Sequence, residues 1–481
     1  MEPGENVSRE AALCVDLDGT LLKTDILAES LLALLARKPH LLALLPIWLL
    51  RGKSYLKHQI ALRVHLDPRL LPYNEEFLSY LRSEAQNGRS MILATASHFK
   101  PARAVAQHLG FFQEVLASDE KVNLRGREKS RVLVEKFGQR QFDYAGNAKA
   151  DIDVWRKARK AILVNPEPGV EATLGRESVP ITRVFKSTKK SRIRYYLKAL
   201  RAHQWAKNVL VFVPLVAAHK FLELDLLAKA VTAFIAFSLC ASSGYIFNDL
   251  LDLPFDRAHP RKRFRPIAAG ELSILKAVAL GLLLLLGSFV IGSFLAIGFL
   301  LVLCTYLGLV LAYSLTLRQK PLLDVFTLAV LYTLRHFAGA QATATPVSLW
   351  LLALSMFMFL SLALVKRCTE LQLLEERQET KARDREYVVS DFQFLQSMGL
   401  ASGYVSVLVL ALYVNSDAVV PLYTRPWLLW ATCPLVLYWI SRLWWKVIRN
   451  EMHDDPLIFA LTDKTSLLTG TLAGVIMLLA M

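Results

Sequence analysis

Cysteine is scarce in this sequence, and no two cysteines form a CxxC pair. Five cysteines are scattered over 481 residues, which argues against a disulfide scaffold and against a thiolate zinc site. A secretory signal peptide is also missing, because residues 1–10 are polar and partly acidic where a basic stretch and an apolar core would stand. We therefore expect the N-terminal part to stay on the cytoplasmic side.

Acidic residues are fewer than basic ones, with 41 Asp and Glu against 57 Lys and Arg, a net charge of +16. A basic excess suits nucleic acid, anionic lipid or phosphorylated substrates. The apolar content is 54%, and long apolar runs alternate with short charged ones from about Trp205 onward. The excess then reflects membrane topology and phosphate chemistry, and we expect no nucleic-acid partner.

The second half predicts a bundle of membrane-spanning helices, since about 20 apolar residues cross a bilayer. The loops after the second, fourth, sixth and eighth runs are rich in Lys and Arg, which places them in the cytoplasm. The C-terminus is then expected outside. The nine predicted spans are 204–219, 227–248, 275–294, 295–315, 322–342, 348–366, 396–414, 426–445 and 463–480.

An acidic motif stands at the end of the second span. Asn248, Asp249, Asp252 and Asp256 share one face if the helix continues, although Pro254 places that continuity in question. Hard oxygen ligands grouped in this way suit a Mg²⁺ ion that bridges phosphate oxygens. The alternative is a solvated acidic helix end, which the apolar run before it disfavours.

Cations and polar groups follow the acidic motif in three further groups. Arginine forks suit phosphate, although positive-inside anchoring explains some of these residues equally well. An arginine as deep in an apolar run as Arg335 should face the bundle interior and pair with an anion. The candidates are Arg257, Arg261, Lys262, Arg263 and Arg265, then Tyr313, Arg318, Lys320, Asp324, Arg335 and His336, and finally Lys366, Arg367, Glu370, Lys381, Arg383, Arg385 and Tyr387.

The segment NDLLDLPFD (248–256) resembles the NDxxDxxxD motif of the UbiA-type prenyltransferase superfamily. The resemblance covers about residues 195–481 and implies nine membrane helices with Mg²⁺-bound diphosphate on the cytoplasmic side. The second motif of that family, DxxxD, is incomplete, because Leu328 follows Asp324 where the second Asp would stand. Transfer of a prenyl group to an aromatic ring is therefore disfavoured.

One branch of that superfamily fits better. RAHQWAKNVLVFVPL, HPRKRFRPIAAGELS, YSLTLRQKPLLDVFTLAVLYTLRHFAGA and DDPLIFALTDKTSLL resemble decaprenyl-phosphate phosphoribosyltransferase. The resemblance implies a phosphorylated sugar donor, 5-phosphoribosyl 1-diphosphate, and a polyprenyl phosphate acceptor. Asp249, Asp252 and Asp256 would bind Mg²⁺. The implied substrate-binding residues are Lys207, Asn248, Arg257, Lys262, Arg265, Tyr313, Arg318, Arg335, Lys366, Arg367 and Tyr387.

The first 175 residues predict a separate α/β domain. Asp16 and Asp18 lie in CVDLDGT after an apolar strand, Thr95 ends the strand of MILATAS, Lys129 lies in GREKS, and Asp151 lies in FDYAGNAKADIDVW. In this order the motifs resemble the haloacid dehalogenase (HAD) superfamily, which implies a Rossmann-like phosphatase fold with a helical cap at about 25–89.

The HAD resemblance assigns a role to each motif residue. Asp16 would attack phosphorus, Asp18 would act as general acid and base, and Thr95 and Lys129 would bind the phosphoryl oxygens. Asp16, Asp18 (through its backbone carbonyl) and Asp151 would hold Mg²⁺. The fourth motif commonly reads GDxxxD, and Asn147 replaces its first Asp, so a domain that binds without catalysing is the alternative.

Two further segments have open interpretations. LLALLARKPHLLALLPIWLLRGKSYLK (31–57) is very apolar but too interrupted to span a membrane. It is either the core of the cap or a surface that rests on the bilayer. Residues 176–203 form a basic linker that suits attachment to a cytoplasmic leaflet, and 204–481 form the membrane transferase.

The fusion of two such halves predicts consecutive reactions. We expect phosphoribosyl transfer to a polyprenyl phosphate, followed by removal of the 5-phosphate, in a multi-pass protein of the cytoplasmic membrane that acts on the cytoplasmic side and could form a homo-oligomer. The rivals are an aromatic-acceptor prenyltransferase with an accessory phosphatase and a non-catalytic polyprenyl-lipid binding or transport protein.

Overall fold

The computed structural model describes residues 11–186, 192–376, 378, 385–417, 419–452 and 456–481. The chain divides into two compact units. Unit 1 comprises residues Met1–Leu200 and Asp249–Leu280, and unit 2 comprises Arg201–Asn248 and Gly281–Met481. The segment that follows the acidic motif therefore belongs to the N-terminal unit, which differs from the predicted linear division at residue 204.

Unit 1 is built on a six-stranded parallel sheet with strand order β3-β2-β1-β4-β5-β6. Parallel strands covered on both faces read as continuous apolar runs, and ALCV of the first strand and AILV of the fifth do so. The predicted α/β architecture is confirmed. The strands are β1 (Ala12–Val15), β2 (Met91–His98), β3 (Glu114–Ser118), β4 (Phe142–Gly146), β5 (Ala161–Val164) and β6 (Ile181–Phe185).

The sixth strand lies in the segment 176–203 that the sequence predicts as a linker. Its polar residues Thr182 and Arg183 and its mostly exposed side chains hide the strand from a search for apolar runs. Residues 187–191 of the same segment lie outside the described residues. The sheet thus extends beyond residue 175, the predicted end of the domain.

Helices connect the strands and fill the interval between β1 and β2, here called the helical insertion. That insertion also contains short 3₁₀ segments at Pro39–Leu44 and Pro68–Leu70. The helices up to residue 200 are α1 (Ile26–Arg37), α2 (Leu45–Leu50), α3 (Lys53–Arg63), α4 (Glu75–Gln86), α5 (Phe99–Leu109), α6 (Arg127–Phe137), α7 (Ile152–Trp155), α8 (Val170–Arg176) and α9 (Arg192–Leu200).

The remainder of the described chain is helical. Its α-helices are α10 (Val213–Ala217), α11 (Leu224–Leu251), α12 (Leu253–Ala258), α13 (Ile274–Gly292), α14 (Ile297–Leu315), α15 (Leu323–Thr343), α16 (Leu349–Glu376), α17 (Phe392–Val414), α18 (Thr432–Ile448), α19 (Pro456–Thr462) and α20 (Lys464–Ala480).

Five helices in the described part of the chain are long and apolar enough to cross a membrane: Leu224–Leu251, Ile274–Gly292, Ile297–Leu315, Leu349–Glu376 and Val389–Val414. They correspond to five of the nine predicted spans. The other four predicted spans are shorter or more polar. The span 204–219 divides into a 3₁₀ segment and α10 near Pro214, and the span 426–445 begins as a 3₁₀ segment. Helix α15 contains Asp324 and Arg335, and α20 has 17 residues. The count of nine is therefore not confirmed.

Close backbone approach holds the helices of unit 2 together. A Cβ atom at Gly399 of α17 would lie 2.0 Å from the ring of Trp444 on α18, so only glycine fits there. The indole Nε1 of Trp444 donates to Ser361 Oγ on α16 (3.0 Å), and that hydroxyl donates to the Gly399 carbonyl (2.8 Å). Three helices thus meet at one hydrogen-bonded junction, as small residues and hydroxyl groups often allow in membrane helix bundles.

Candidate functional site

The predicted phosphatase residues meet at the carboxyl edge of the sheet in unit 1. Asp16 directly follows β1, Thr95 lies within β2, three residues before the end of the strand, and Asn147 directly follows β4. These three strands are neighbours in the sheet, and the carboxyl ends of neighbouring parallel strands form the usual ligand edge of such folds. Lys129 on α6 and Asp151 complete the set.

Lys129 lies between two buried carboxylates. Its Nζ atom is 2.8 Å from Asp16 Oδ1 and 3.3 Å from Asp151 Oδ1. It also donates to the hydroxyl of Tyr144 (2.8 Å), and that hydroxyl donates to Asp151 Oδ1 (2.8 Å). A buried ammonium is stable only with such partners, so the four side chains form one hydrogen-bonded cluster with an excess of negative charge.

The pKa values of two aspartates at this site, Asp16 and Asp18, are raised. Burial raises the pKa of Asp16 to about 6, opposed by Lys129 and reinforced by Asp151. Burial, Asp25 and Asp16 raise the pKa of Asp18 to about 7. Burial alone would lower the pKa of Lys129, but Asp151 and Asp16 outweigh it and the pKa is raised. A carboxyl group that keeps its proton near neutrality suits a general acid.

The side chain of Asp18 is fixed by two donors. Its Oδ1 accepts from the backbone N–H of Ile26 (2.8 Å), and its Oδ2 accepts from Ser97 Oγ (2.5 Å). Thr95 is fully buried, and its hydroxyl accepts from the backbone N–H of Ser97 (3.0 Å). Ser97 therefore orients both Asp18 and Thr95.

Gly19 allows the loop after β1 to pass close to Asn147. Gly19 has φ +75°, and a Cβ atom there would lie 2.3 Å from Asn147 Nδ2. Thr20 Oγ1 lies 3.3 Å from both Asp16 Oδ2 and Asn147 Oδ1. Asn147, which stands where the HAD motif commonly has Asp, is therefore part of the cluster.

A small pocket opens beside Ser97, the residue that holds Asp18. Apolar side chains of α1, α3 and α5 form most of its wall, and Lys57 supplies a cation. Lys57 Nζ donates to the carbonyl of Ala96 (2.6 Å) and to Asn123 Oδ1 (3.1 Å), while burial lowers its pKa. The lining residues are Ile26, Leu27, Ser30, Lys57, Ile60, Ala61, Ser97, His98 and Pro101.

Two carboxylates of the acidic motif, those of Asp249 and Asp256, converge on Arg265 within unit 1. One guanidinium nitrogen of Arg265 lies 3.0 Å from Asp249 Oδ1 and 2.6 Å from Asp256 Oδ2. Asp256 is buried, Asp252 is half-buried, and Asn248 is half-buried at the end of the preceding segment. Burial, partly offset by Arg265, raises the pKa of Asp256 to about 6.

Arg257 has a protein partner that the sequence did not suggest. Its two terminal nitrogens donate to Glu29 of α1 (2.7 and 3.0 Å), and its Nε donates to the carbonyl of Ala268 (3.0 Å). Three of its N–H groups are thus bound to protein acceptors within unit 1, and its phosphate-binding role stays a prediction. Lys262 is exposed.

A second buried cluster lies in unit 2. Asp324 is fully buried, with Arg367 Nε 3.0 Å from its Oδ2 and the Tyr387 hydroxyl donating to its Oδ1 (2.6 Å). Arg367 and Arg385 both pair with Glu370. Lys381 and Arg383, which the sequence analysis adds to this cluster, lie outside the described residues.

Arg335 faces the interior of unit 2, where it meets neutral groups. It donates to Asn208 Oδ1 (2.9 Å), and its guanidinium lies over the rings of Phe237, Tyr306 and Tyr332. The expected anion is therefore replaced by an amide oxygen and aromatic faces. Of the other predicted ligands, Arg318 is buried, whereas Lys207, Tyr313 and Lys366 are half-buried.

Neither predicted Mg²⁺ site has a complete set of grouped metal ligands among the described residues. Over the ranges that the structure describes, no three His, Cys, Asp or Glu side chains are grouped as metal ligands. In each site, however, two carboxylate oxygens converge on a single cationic nitrogen, of Lys129 in one and Arg265 in the other. Paired hard oxygens that already hold one cation fit Mg²⁺ chemistry.

Three contributors escaped the sequence analysis. Tyr144 lies in a buried apolar strand, where an aromatic residue is ordinarily interpreted as part of the hydrophobic core. Glu29 lies in an apolar helix, and its burial with Arg257 depends on a contact 228 positions away. Asn208, the partner of Arg335, lies in the segment RAHQWAKN. Its position as a polar residue directly before an apolar run could have marked it as a candidate.

Comparisons with known proteins find similarity along 98% of the chain. Residues 209–465 match the model of the UbiA prenyltransferase family. Uncharacterized protein y4nM of Sinorhizobium fredii is 36% identical over 475 residues, which are 98% of this chain and 92% of that protein. Nodulation protein NoeC of Azorhizobium caulinodans is 36% identical over 294 residues, which are 59% of this chain and 93% of that protein.

The match to a relative whose name gives its reaction covers a shorter part of the chain. Decaprenyl-phosphate phosphoribosyltransferase of Mycolicibacterium smegmatis is 40% identical over 183 residues. Those residues are 37% of this chain and 58% of that protein, so the match spans a little more than half of that relative's length.

Proposed function

The chain belongs to the UbiA prenyltransferase family, and from this premise we propose that it transfers a phosphoribosyl group from 5-phosphoribosyl 1-diphosphate to a polyprenyl phosphate. The observation that carries the proposal is the 40% identity to decaprenyl-phosphate phosphoribosyltransferase over 183 residues. The five apolar helices suit an acceptor with a long hydrocarbon chain.

The acidic motif would serve the departure of diphosphate. Asp249, Asp252 and Asp256 would hold Mg²⁺, which when bound would neutralise the charge of the leaving diphosphate. A lipid phosphate oxygen attacks the anomeric carbon, a new C–O bond forms, and the bond to diphosphate breaks with its electron pair leaving on the diphosphate. Arg265 lies beside two of these carboxylates and would bind phosphate oxygens once it is displaced from them.

The arrangement around Asp324 favours this transfer over aromatic prenylation. The family's second acidic motif is incomplete at Leu328, and Asp324 is paired with Arg367 and Tyr387. A buried carboxylate compensated by an arginine has no excess negative charge to offer a second cation.

For the N-terminal part we propose a HAD-type phosphatase that removes the 5-phosphate of the lipid product, leaving polyprenyl-phosphoryl-ribose. The converging carboxylates, Lys129 and Thr95 support it. Asp16 attacks phosphorus to form an aspartyl-phosphate as Asp18 gives its proton to the departing sugar oxygen. Asp18 then takes a proton from water, which attacks the phosphorus and frees Asp16 and inorganic phosphate. Lys129 and Thr95 hold the phosphoryl oxygens, and both reactions would occur on the cytoplasmic side.

The transfer step is tested by diphosphate release. Purified protein in detergent receives Mg²⁺, polyprenyl phosphate and 5-phosphoribosyl 1-diphosphate, and release is compared for wild type, Asp249→Asn and Asp225→Asn. Asp225 is a matched control, because it lies at the start of the same helix but is exposed and paired with Lys229. The proposal expects loss of release in Asp249→Asn alone. Equal release from all three proteins, or none from the wild type, would overturn it.

The phosphatase step is tested separately with a small soluble phosphate monoester, which needs no lipid. Asp16→Asn should abolish phosphate release in the presence of Mg²⁺. Asp153→Asn should not, because Asp153 lies near the surface beside Arg156. Hydrolysis that survives Asp16→Asn would contradict the assignment of Asp16 as nucleophile.

A further inference from the structure

One stretch of the helical insertion is free of acidic residues. From Ser30 to Leu66 the sequence contains six Lys and Arg residues and neither Asp nor Glu. Most surface segments carry both signs of charge, which keeps them soluble. A segment of one sign, rich in leucine, indicates a surface that meets an anionic partner.

The structure separates the core of this stretch from its outward face. Trp48 of α2 is 6% exposed and packs with Leu34, Ile60 and Val64, and the guanidinium of Arg63 lies 4.9 Å from the centre of its ring. Trp48 thus anchors α2 to α1 and α3. The apolar residues directly before and after Trp48 take no part in that core cluster.

Exposed apolar residues flank Trp48 in the sequence, and together they are called the apolar face. Leu50 is 88% exposed, Leu49 52%, Ile47 51% and Leu44 36%. Scattered exposed leucines are ordinary, but these four residues lie within seven consecutive positions. Fully burying a side chain of this size is worth about 1.5–3 kcal/mol, so water is a costly environment for the group.

Cations border the same face. Arg37 and Lys38 precede it, Arg51 and Lys53 follow it, and all four are exposed. Apolar side chains bordered by Lys and Arg match the interface of an anionic bilayer, where the former enter the acyl boundary and the latter meet lipid phosphates. The sequence left a cap core and a membrane-resting surface as alternatives. Trp48 takes the first role, and the exposed apolar residues around it are placed for the second.

We propose that Leu44, Ile47, Leu49 and Leu50, the apolar face of the insertion, dock into an anionic lipid leaflet. The occupant is lipid because the exposed residues are apolar and the charged residues that flank them in sequence, from Ser30 to Leu66, are all cationic. Docking would hold the pocket beside Ser97 close to lipid-linked substrates. The inference does not depend on the proposed phosphatase activity, since it concerns where residues 44–50 lie.

The test uses the full chain in nanodiscs of mixed phosphatidylglycerol and phosphatidylcholine. An environment-sensitive fluorophore is attached at Leu50→Cys, and in a separate protein at Asn87→Cys, which is exposed at the end of α4. Both carry Cys304→Ala, because Cys304 is the exposed cysteine of the described chain. Quenching by lipids with a nitroxide on the acyl chain is compared with quenching by aqueous iodide.

The proposal expects the residue-50 label to be quenched by nitroxide lipid and protected from iodide, with the reverse at residue 87. Arg51→Gln with Lys53→Gln should weaken docking roughly fivefold per residue, whereas Arg131→Gln, at an exposed arginine of α6, should not. Iodide quenching at residue 50 equal to that at residue 87 would overturn the proposal. Protection from both quenchers would also overturn it, since a protein surface would then cover the face.

Discussion

Glu29 and Arg257 form a buried, two-bond ion pair within unit 1. The guanidinium donates to both carboxylate oxygens (2.7 and 3.0 Å), and Thr24 Oγ1 also donates to Glu29 (2.7 Å). The two residues are 228 positions apart, and their side chains are 5% and 8% exposed. The pair therefore fixes α1 to the segment that carries Asp256.

We expect Glu29→Gln to lower the thermal unfolding midpoint of the purified protein strongly. Removing one member of a buried pair leaves the other charge uncompensated, at a cost of about 3–5 kcal/mol. The control is Glu177→Gln, since Arg156 and Glu177 make a similar two-bond pair at 49% and 29% exposure. Exposed pairs are worth at most about 1 kcal/mol. Equal shifts in the two variants would contradict this account of the pair.

Gly19→Ala should abolish phosphate release from a soluble monoester. The left-handed backbone conformation at residue 19 would destabilise an alanine by about 1 kcal/mol. The added Cβ would also collide with Asn147 Nδ2 at 2.3 Å. Gly110→Ala is the control, because Gly110 has φ +76° and an added methyl group there would meet nothing within 4 Å. Activity that falls equally in both variants would show that backbone strain, and not contact with Asn147, is responsible.

Tyr144→Phe should lower phosphatase kcat/KM without unfolding the protein. The phenol hydroxyl bonds to both Lys129 and Asp151 (2.8 Å each), and losing hydrogen bonds to charged groups costs roughly 10- to 100-fold. Tyr196→Phe, at an exposed tyrosine of α9, should leave the rate unchanged. A Tyr144→Phe enzyme with the wild-type rate would show that Lys129 is positioned by the carboxylates alone.

His58 Nδ1 and His98 Nε2 lie 3.0 Å apart, and this pair should make unit 1 less stable in mild acid. Burial and His58 lower the pKa of His98 from 6.5 to about 4. The unfolded chain therefore binds a proton as pH falls through 6.5, before the folded chain does, and stability is lost between about pH 7 and 4. The other charged groups that act on His98 are Asp119, Lys100 and Lys57.

His98→Asn isolates this contribution in thermal unfolding measured between pH 7.5 and 5. His98 caps α5 by accepting from the Lys100 N–H, a role that Asn retains. The variant should lose less stability in acid than the wild type, whereas His65→Asn, at an exposed histidine, should match it. Identical pH dependence of all three proteins would exclude His98 as the source.

Local patterns predicted those features that depend on neighbours in sequence. The motifs around Asp16, Thr95, Lys129 and Asp151 were enough to predict an α/β domain, and the parallel sheet confirms that fold class. The five strongest apolar helices were also evident from length and composition.

Features that depend on distant contacts were not predictable. The pairing of Arg257 with Glu29 and the grouping of residues 249–280 with the N-terminal unit require the folded chain. Arg335 was expected to meet an anion, but Asn208 and three aromatic rings compensate its charge. A charge pattern shows that compensation is needed, but not which residue provides it.

The most direct test of the two-step account is mass spectrometry of lipid products. Wild type, Asp16→Asn and Asp249→Asn proteins are incubated with Mg²⁺, polyprenyl phosphate and 5-phosphoribosyl 1-diphosphate. The account predicts polyprenyl-phosphoryl-ribose from the wild type, its 5-phosphorylated form from Asp16→Asn, and neither lipid from Asp249→Asn. The same dephosphorylated lipid from wild type and Asp16→Asn, or no ribosyl lipid from any protein, would contradict it.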